Sequence, residues 1–278
     1  PVSAAARFPM EKAKISWLSL ILYPFFWAKL FSAKRVSAMI TTATDKLIII
    51  KSVIGYAPKS GIFQLESAGM KSFMKELKPQ NLEDIIAGIS LYRPGPMDFI
   101  PQYIKGKENG DNITYMVPQL EPILSPTYGC IVYQEQVMQI VRDLAGYTLG
   151  RSDLVRRAMS KKKTAVMGKE RQNFIYGNEQ ENVPGCIKNG IDEKIANKIY
   201  DEMIDFAQYA FNKSHAAAYA YVTYQTAFLK YYYPVEFMAA LMTSVVEMPN
   251  KVAEYISVCR QMGIQILPPD INRGMYGF

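Results

Sequence analysis

From residue 61 onward, apolar side chains recur at helical spacing between Pro and Gly breaks, and no stretch of comparable length alternates as a half-buried strand would. That pattern commits this part of the chain to a mainly α fold with short connections. The clearest stripe lies in 131–147, where Val137, Ile140, Val141 and Leu144 fall on one helix face. Residues 81–91 (NLEDIIAGISL) read as a second helix, opened by Asn81, with Glu83 and Asp84 in its first turn. The stretch Arg93-Pro94-Gly95-Pro96 stops it as a rigid loop. Further helices are expected over 152–159, 164–178, 192–208, 215–232, 234–247 and 249–263. Gly146, Gly150, Pro184 with Gly185, Pro234, Pro249 and Gly263 mark the breaks. No internal repeat or low-complexity tract interrupts the pattern. At 49% hydrophobic and 12% aromatic residues over 278 positions, the chain can fill a packed core, which excludes wholesale disorder.

Residues 1–60 have a different character. They hold two acidic side chains, Glu11 and Asp45, among many basic and apolar ones. The run 17–28 (WLSLILYPFFWA) is almost wholly apolar, but Pro24 sits in its middle and Lys29 ends it. It is shorter than the roughly 20 residues a spanning helix needs, and no small-residue cleavage site follows, so neither a membrane anchor nor a signal peptide is expected.

Several chemistries are excluded by what the sequence lacks. Cys130, Cys186 and Cys259 are far apart with no CxxC pair, so a disulfide framework or zinc site is not expected; reduced core thiols of a cytoplasmic protein are. His215 is the sole histidine, so no His-based metal site can be assembled. No GxxxxGK[ST] loop exists, which rules out a P-loop NTPase; no G-x-S-x-G elbow appears, although the residue count leaves serine-histidine catalysis open. Glu66, Asp98 and the pair Asp201/Glu202 read as helix-surface charges rather than as converging acids for metal-assisted phosphoryl transfer.

What remains points to an anionic partner. The net charge is +7, which favours nucleic acid or an anionic surface. Residues 156–171 (RRAMSKKKTAVMGKER) concentrate Arg156, Arg157, Lys161, Lys162, Lys163, Lys169 and Arg171 against one acid, Glu170. On a helix Arg156 and Arg157 lie side by side, and guanidinium forks suit phosphate oxygens while lysines act as mobile point charges. A solvated basic face accounts for the same letters equally well. In 209–224 (YAFNKSHAAAYAYVTY), Asn212, Lys213, Ser214 and His215 precede an Ala- and Tyr-rich helix. Ser214 could cap it and leave N–H groups for an anion, with Tyr219 and Tyr221 as stacking planes. Spacing alone favours the plainer reading, a capped helix whose tyrosines are core. Tyr128-Gly129 followed by Tyr133-Gln134-Glu135-Gln136 could hydrogen-bond base edges or phosphates, or simply begin a helix, and the spacing does not decide.

Six stretches carry a resemblance. GIFQLESAGM (61–70), SLYRPGPMDFIPQYIKGK (90–107), PTYGCIVYQEQVMQI (126–140), LVRRAMSKKK (154–163), FNKSHAAAYAYVTYQTAFLK (211–230) and QILPPDIN (265–272) resemble bacterial DNA polymerase III alpha subunits, the C-family replicative polymerases, in that family's order. The resemblance implies that 61–278 is the helical fingers region, which binds incoming dNTP and primer-template DNA. It implies that Arg156 and Arg157 grip the triphosphate, that Lys161, Lys162 and Lys163 support phosphate binding, and that Asn212, Lys213, Ser214 and His215 line the same pocket. Arg93, Tyr133, Gln134 and Gln136 match the family as possible further contacts without an individual role. The implied activity is DNA-directed nucleotidyl transfer, with Mg2+ held by palm carboxylates and with the sliding clamp and other replisome subunits as partners of the intact enzyme.

The same resemblance marks departures. Ser3-Ala4-Ala5 and Arg35-Val36-Ser37 are similar to palm text, yet Met39, Ile40, Thr41 and Thr42 stand where the paired catalytic aspartates belong. Residues 1–60 are therefore expected to be a disrupted palm remnant, with no catalytic residue and no metal ligand in the chain. The thumb, phosphoesterase-like, clamp-binding and OB-fold regions are not represented. The expectation is a polymerase fragment inactive alone; the alternative is a non-catalytic helical DNA-binding module from a truncated or decayed gene.

Overall fold

The computed structural model describes residue 50 and residues 60–278, apart from 162, 163, 208, 209, 273, 275 and 276. The composition change in 1–60, including the apolar run 17–28 and the palm-like text, lies outside the described residues apart from Ile50 and Ser60. Among the described residues there is no strand, only two isolated bridges, Tyr133 with Phe211 (parallel) and Asn178 with Val183 (antiparallel). The mainly α expectation therefore holds. No helix among the described residues is long and apolar enough to cross a membrane.

The helices are α1 (Ala68–Leu77), α2 (Leu82–Leu91), α3 (Ile100–Asn109), the short α4 (Glu121–Leu124), α5 (Gln134–Ala145), α6 (Leu149–Ser160), α7 (Thr164–Tyr176), α8 (Glu193–Ala207), α9 (Lys213–Tyr232), α10 (Pro234–Ser244) and α11 (Pro249–Gln261). They belong to two compact units, the larger ending at Ala227 and the smaller running from Phe228 to Phe278.

Local chemistry sets many of the boundaries. Asn81 caps α2 by accepting the Asp84 N–H at 2.9 Å, as expected. Ser67 and Thr148 cap α1 and α6 in the same way, at 3.2 and 3.3 Å. Pro234 and Pro249 occupy the first positions of α10 and α11, where a missing N–H costs nothing. Gly146 ends α5 in the left-handed region (φ 75°), its N–H bonded to the Arg142 carbonyl. Three expectations need correction. Gly150 is no break but the second residue of α6, because Thr148 provides the cap. Residues 131–133 precede α5 in extended backbone, held by the bridge to Phe211. Helices α1, α3 and α4 are additional.

The larger unit is centred on the expected stripe. Val137, Ile140, Val141 and Leu144 of α5 are buried, and α6, α7 and α8 pack around them through Val155, Met159, Phe174, Ile199, Tyr200 and Met203. Arg151 Nη2 donates to both oxygens of Glu170 (2.8 and 3.0 Å) and Nη1 pairs with Glu181, tying α6 to α7. Arg171 bonds Asn197 and Asp201, tying α7 to α8. In α3, a Cβ at Gly106 would stand 2.5 Å from the Tyr128 carbonyl oxygen, so glycine permits that approach. Next to it, Lys107 reaches the buried Asp84 (2.6 Å) and the carbonyls of Leu77 and Lys78 (3.0 and 3.1 Å). The smaller unit packs α10 on α11 through Met238, Leu241, Met242, Tyr255, Val258 and Cys259. The three cysteines are buried and unpaired. Burial pushes the Cys130 and Cys186 thiols up to about 12.

Candidate functional site

Helix α6 buries Ser152, Val155 and Met159, a three- and four-residue spacing that turns Leu154, Arg157 and Lys161 outward and leaves Arg156 at the border. Three and four residues before the two arginines stands Asp153. Its Oδ1 accepts from Arg156 Nε at 2.8 Å and meets Nη2 at 2.7 Å, while its Oδ2 meets Arg157 Nε at 2.7 Å. The remaining terminal nitrogen of Arg156, Nη1, donates to Gln134 Oε1 at 2.9 Å. The Arg156 hydrogen bond, joined by the attraction of both guanidiniums, holds the Asp153 carboxyl below the usual aspartate range. Arg156 is thus tethered on two sides and 25% exposed at its side chain, whereas Arg157 is tethered through Nε and is 62% exposed. Lys161 is exposed and closes the helix, its N–H bonding the Arg157 carbonyl. Lys162 and Lys163 lie outside the described residues. Lys169 and Arg171, from the same basic stretch, pair with Glu181 and Asp201.

Gln134 joins this edge to a second motif. Its amide nitrogen donates to the Ala210 carbonyl at 3.0 Å, and its backbone N–H bonds the Phe211 carbonyl at 3.0 Å. Beside it, Glu135 receives the Lys213 backbone N–H at 3.1 Å and the Asn212 side-chain amide at 3.2 Å. Asn212 Oδ1 in turn accepts the His215 N–H at 2.8 Å. The 20-residue α9 therefore starts on Asn212, with a carboxylate of the chain itself against the positive end of its dipole. This corrects the assignment of Ser214 as the cap: Ser214 lies inside the helix and is exposed, and the Lys213 and His215 N–H groups are occupied.

The other candidates separate by burial. Gln136 is inside the core: Oε1 accepts the Val132 and Tyr133 N–H groups (2.8 and 3.0 Å), and Nε2 donates to the Ile123 carbonyl (3.1 Å) and Thr127 Oγ1 (2.7 Å). With its hydrogen-bonding positions filled, Gln136 acts as a structural link in the core. Tyr133 is 1% exposed and belongs to the core, its pKa raised by burial. Lys213 reaches Glu83 at 3.0 Å and lies 5.2 Å from the Tyr133 ring centre. Arg93 sits 3.8 Å over the Phe211 ring, first in a column that continues through His215, Tyr219 and Phe63 with centroid separations of 5.5, 4.2 and 5.2 Å. Of the tyrosines in this helix, Tyr224 is core, Tyr219 is half-buried between tilted rings, and Tyr221, Tyr231 and Tyr232 are exposed.

The structure thus brings Arg156, Arg157 and Gln134 together, and joins them through Gln134 and Glu135 to Asn212 and Lys213. Asp153 is absent from the candidates read from the sequence, and Glu135 entered only as part of the Tyr133–Gln136 stretch. For Asp153 a signal existed: an acid three and four residues before two arginines on one helix. Among the described residues no three His, Cys, Asp or Glu side chains gather as metal ligands.

The larger unit, helical and without a strand among the described residues, carries two adjacent guanidiniums on one helix edge. The chain matches the family model described as bacterial DNA polymerase III alpha subunit finger domain over residues 30–182, and it belongs to that family. The match begins inside the 1–60 segment and ends before α8. The chain is 50% identical over 223 residues to the DNA polymerase III subunit alpha of Thermus aquaticus, covering 78% of this chain and 18% of that one. It is 49% identical over 226 residues to that of Escherichia coli strain K12 (79% and 19%) and 45% identical over 227 residues to that of Bacillus subtilis strain 168 (82% and 20%). The chain spans about a fifth of the length of the curated relatives it matches.

Proposed function

We propose that this chain is the nucleotide- and DNA-binding fingers portion of a replicative, cytoplasmic DNA-directed DNA polymerase, and that the Arg156–Arg157 edge binds the triphosphate of the incoming dNTP. The observation that carries this reading is the pair of neighbouring guanidiniums held by one carboxylate on an otherwise outward-facing helix edge. In phosphoryl transfer the protein contributes position and charge neutralisation, and two forks on one edge can meet separate phosphate oxygens. Lys161, with Lys162 and Lys163 following in sequence, adds mobile charge for the phosphates of nucleotide or template. Asn212, Lys213, Ser214 and His215 sit where Gln134 links α6 to the start of α9. In this reading they line the same nucleotide pocket, and Arg93 lies over the ring of the neighbouring Phe211.

Catalysis needs converging carboxylates that bind Mg2+, which this reading places in a palm outside the described residues; the chain alone is inactive, and clamp and replisome contacts belong to other parts of the intact enzyme. The test is a titration of the chain with primer-template DNA at rising salt, with and without the next complementary dNTP. A steep salt dependence and tighter binding with the complementary dNTP are expected. Salt-dependent binding with no preference among nucleotides would instead favour the non-catalytic DNA-binding module. Primer extension by the chain alone would refute the inactivity.

A further inference from the structure

Two guanidiniums on adjacent residues repel each other, and an exposed arginine samples many rotamers. On α6 both tendencies are opposed by one side chain. Asp153 gives one oxygen to the Nε–Nη2 edge of Arg156 and the other to Nε of Arg157, so it offsets the repulsion and limits both rotamer sets. The contact with Arg156 uses the side-on edge of the fork, and Gln134 takes one hydrogen of Nη1. Gln134 is itself fixed, since its amide nitrogen bonds the Ala210 carbonyl and its backbone pairs with Phe211. The orientation of Arg156 is therefore registered against the start of α9.

We propose that Asp153 is a positioning residue for triphosphate binding: it does not touch the nucleotide but holds Arg156 and Arg157, together with Gln134, in the arrangement that receives it. This rests on the function proposed above. It makes a prediction whose sign separates it from a surface-charge role. Neutralising Asp153 makes the edge one unit more positive, which by Coulomb attraction alone would tighten the binding of any polyanion. If orientation decides, the same change weakens it.

The experiment compares the unaltered chain with Asp153→Asn, Asp153→Glu, Arg156→Ala/Arg157→Ala, and the combination of Asp153→Asn with the two alanines. Each is titrated with a dNTP and with inorganic tripolyphosphate, and folding is checked by circular dichroism. Asp153→Asn is expected to weaken binding of both ligands about tenfold, a loss typical of residues that act as a unit, and to add nothing in the double-alanine background. Asp153→Glu recovers part of the affinity. Equal or tighter binding by folded Asp153→Asn would overturn the positioning role, as would an undiminished effect in the double-alanine background. A second measurement needs no variant: the Nε–H protons of Arg156 and Arg157 should exchange slowly with solvent in the ligand-free chain. Rapid exchange of both would also overturn the role. Undiminished binding by the double-alanine variant, or none by the unaltered chain, would instead remove the nucleotide-binding reading itself, and this role with it.

Discussion

Replacing Gln136 by alanine removes four hydrogen bonds from a site that is 7% exposed. The losses are unequal. Thr127 Oγ1 keeps its own contacts to the Leu124 and Cys130 carbonyls, so it is not stranded. The N–H groups of Val132 and Tyr133 and the carbonyl of Ile123 each lose the partner that Gln136 supplied. At about 1 kcal/mol for each hydrogen bond, and somewhat more where a buried group is left unmade, the expected destabilisation is about 3–5 kcal/mol. Urea unfolding of the unaltered and altered chains, followed by tryptophan-independent circular dichroism, measures it. With a slope of roughly 1–3 kcal/mol per molar urea, the midpoint should fall by at least about 1 M. Gln136→Glu should also destabilise, because a carboxylate keeps the two N–H partners but cannot donate to Ile123 and places a charge in the core. A loss below about 1 kcal/mol for Gln136→Ala, coupled with weaker nucleotide binding, would refute the structural role and restore Gln136 to the binding surface.

Other outcomes follow from individual contacts. Lys107→Met should cost about 3 kcal/mol by leaving the buried Asp84 carboxylate without its cation, and Asp84→Asn in the same chain should recover part of that loss in thermal unfolding. Glu135→Gln should lower stability by about 1 kcal/mol and speed amide exchange at Lys213, because the charge at the positive end of α9 is removed. Cys130 and Cys186, both pushed up to about 12, should resist iodoacetamide at pH 8 in the folded chain and react after denaturation, since a thiol titrating there is only about one part in ten thousand thiolate at that pH. As pH rises toward 12 the thiolate fraction grows, so reactivity should climb rather than fall; rapid labelling at pH 8 would contradict the burial.

The sequence made the periodic elements legible and left the non-local ones hidden. Val137, Ile140, Val141 and Leu144 marked α5, and Asn81 marked the start of α2, because stripe and cap are local properties. Helix α3 gave no stripe: Tyr103 is its one buried residue, and Pro101 and Gly106 look like breaks. Residues 131–133 are extended because they pair with Phe211, far along the chain, which no window around them contains. At the site, Arg156 and Arg157 were visible as charge, and their holder Asp153 was visible as spacing. The four letters Tyr133-Gln134-Glu135-Gln136 could not reveal that Gln134 and Glu135 face the start of α9 while Tyr133 and Gln136 face the core. The contact between Glu135 and Lys213 spans 78 positions. Only the packed structure sorts them.

The most direct test of the account is the dNTP affinity of the chain carrying Arg156→Ala and Arg157→Ala, measured at fixed salt beside the unaltered chain. A loss of at least about tenfold with the helical circular dichroism retained is expected, because two charge-assisted contacts to the triphosphate are removed. Undiminished affinity in the folded variant would contradict it and leave the cationic edge of α6 as a solvated face.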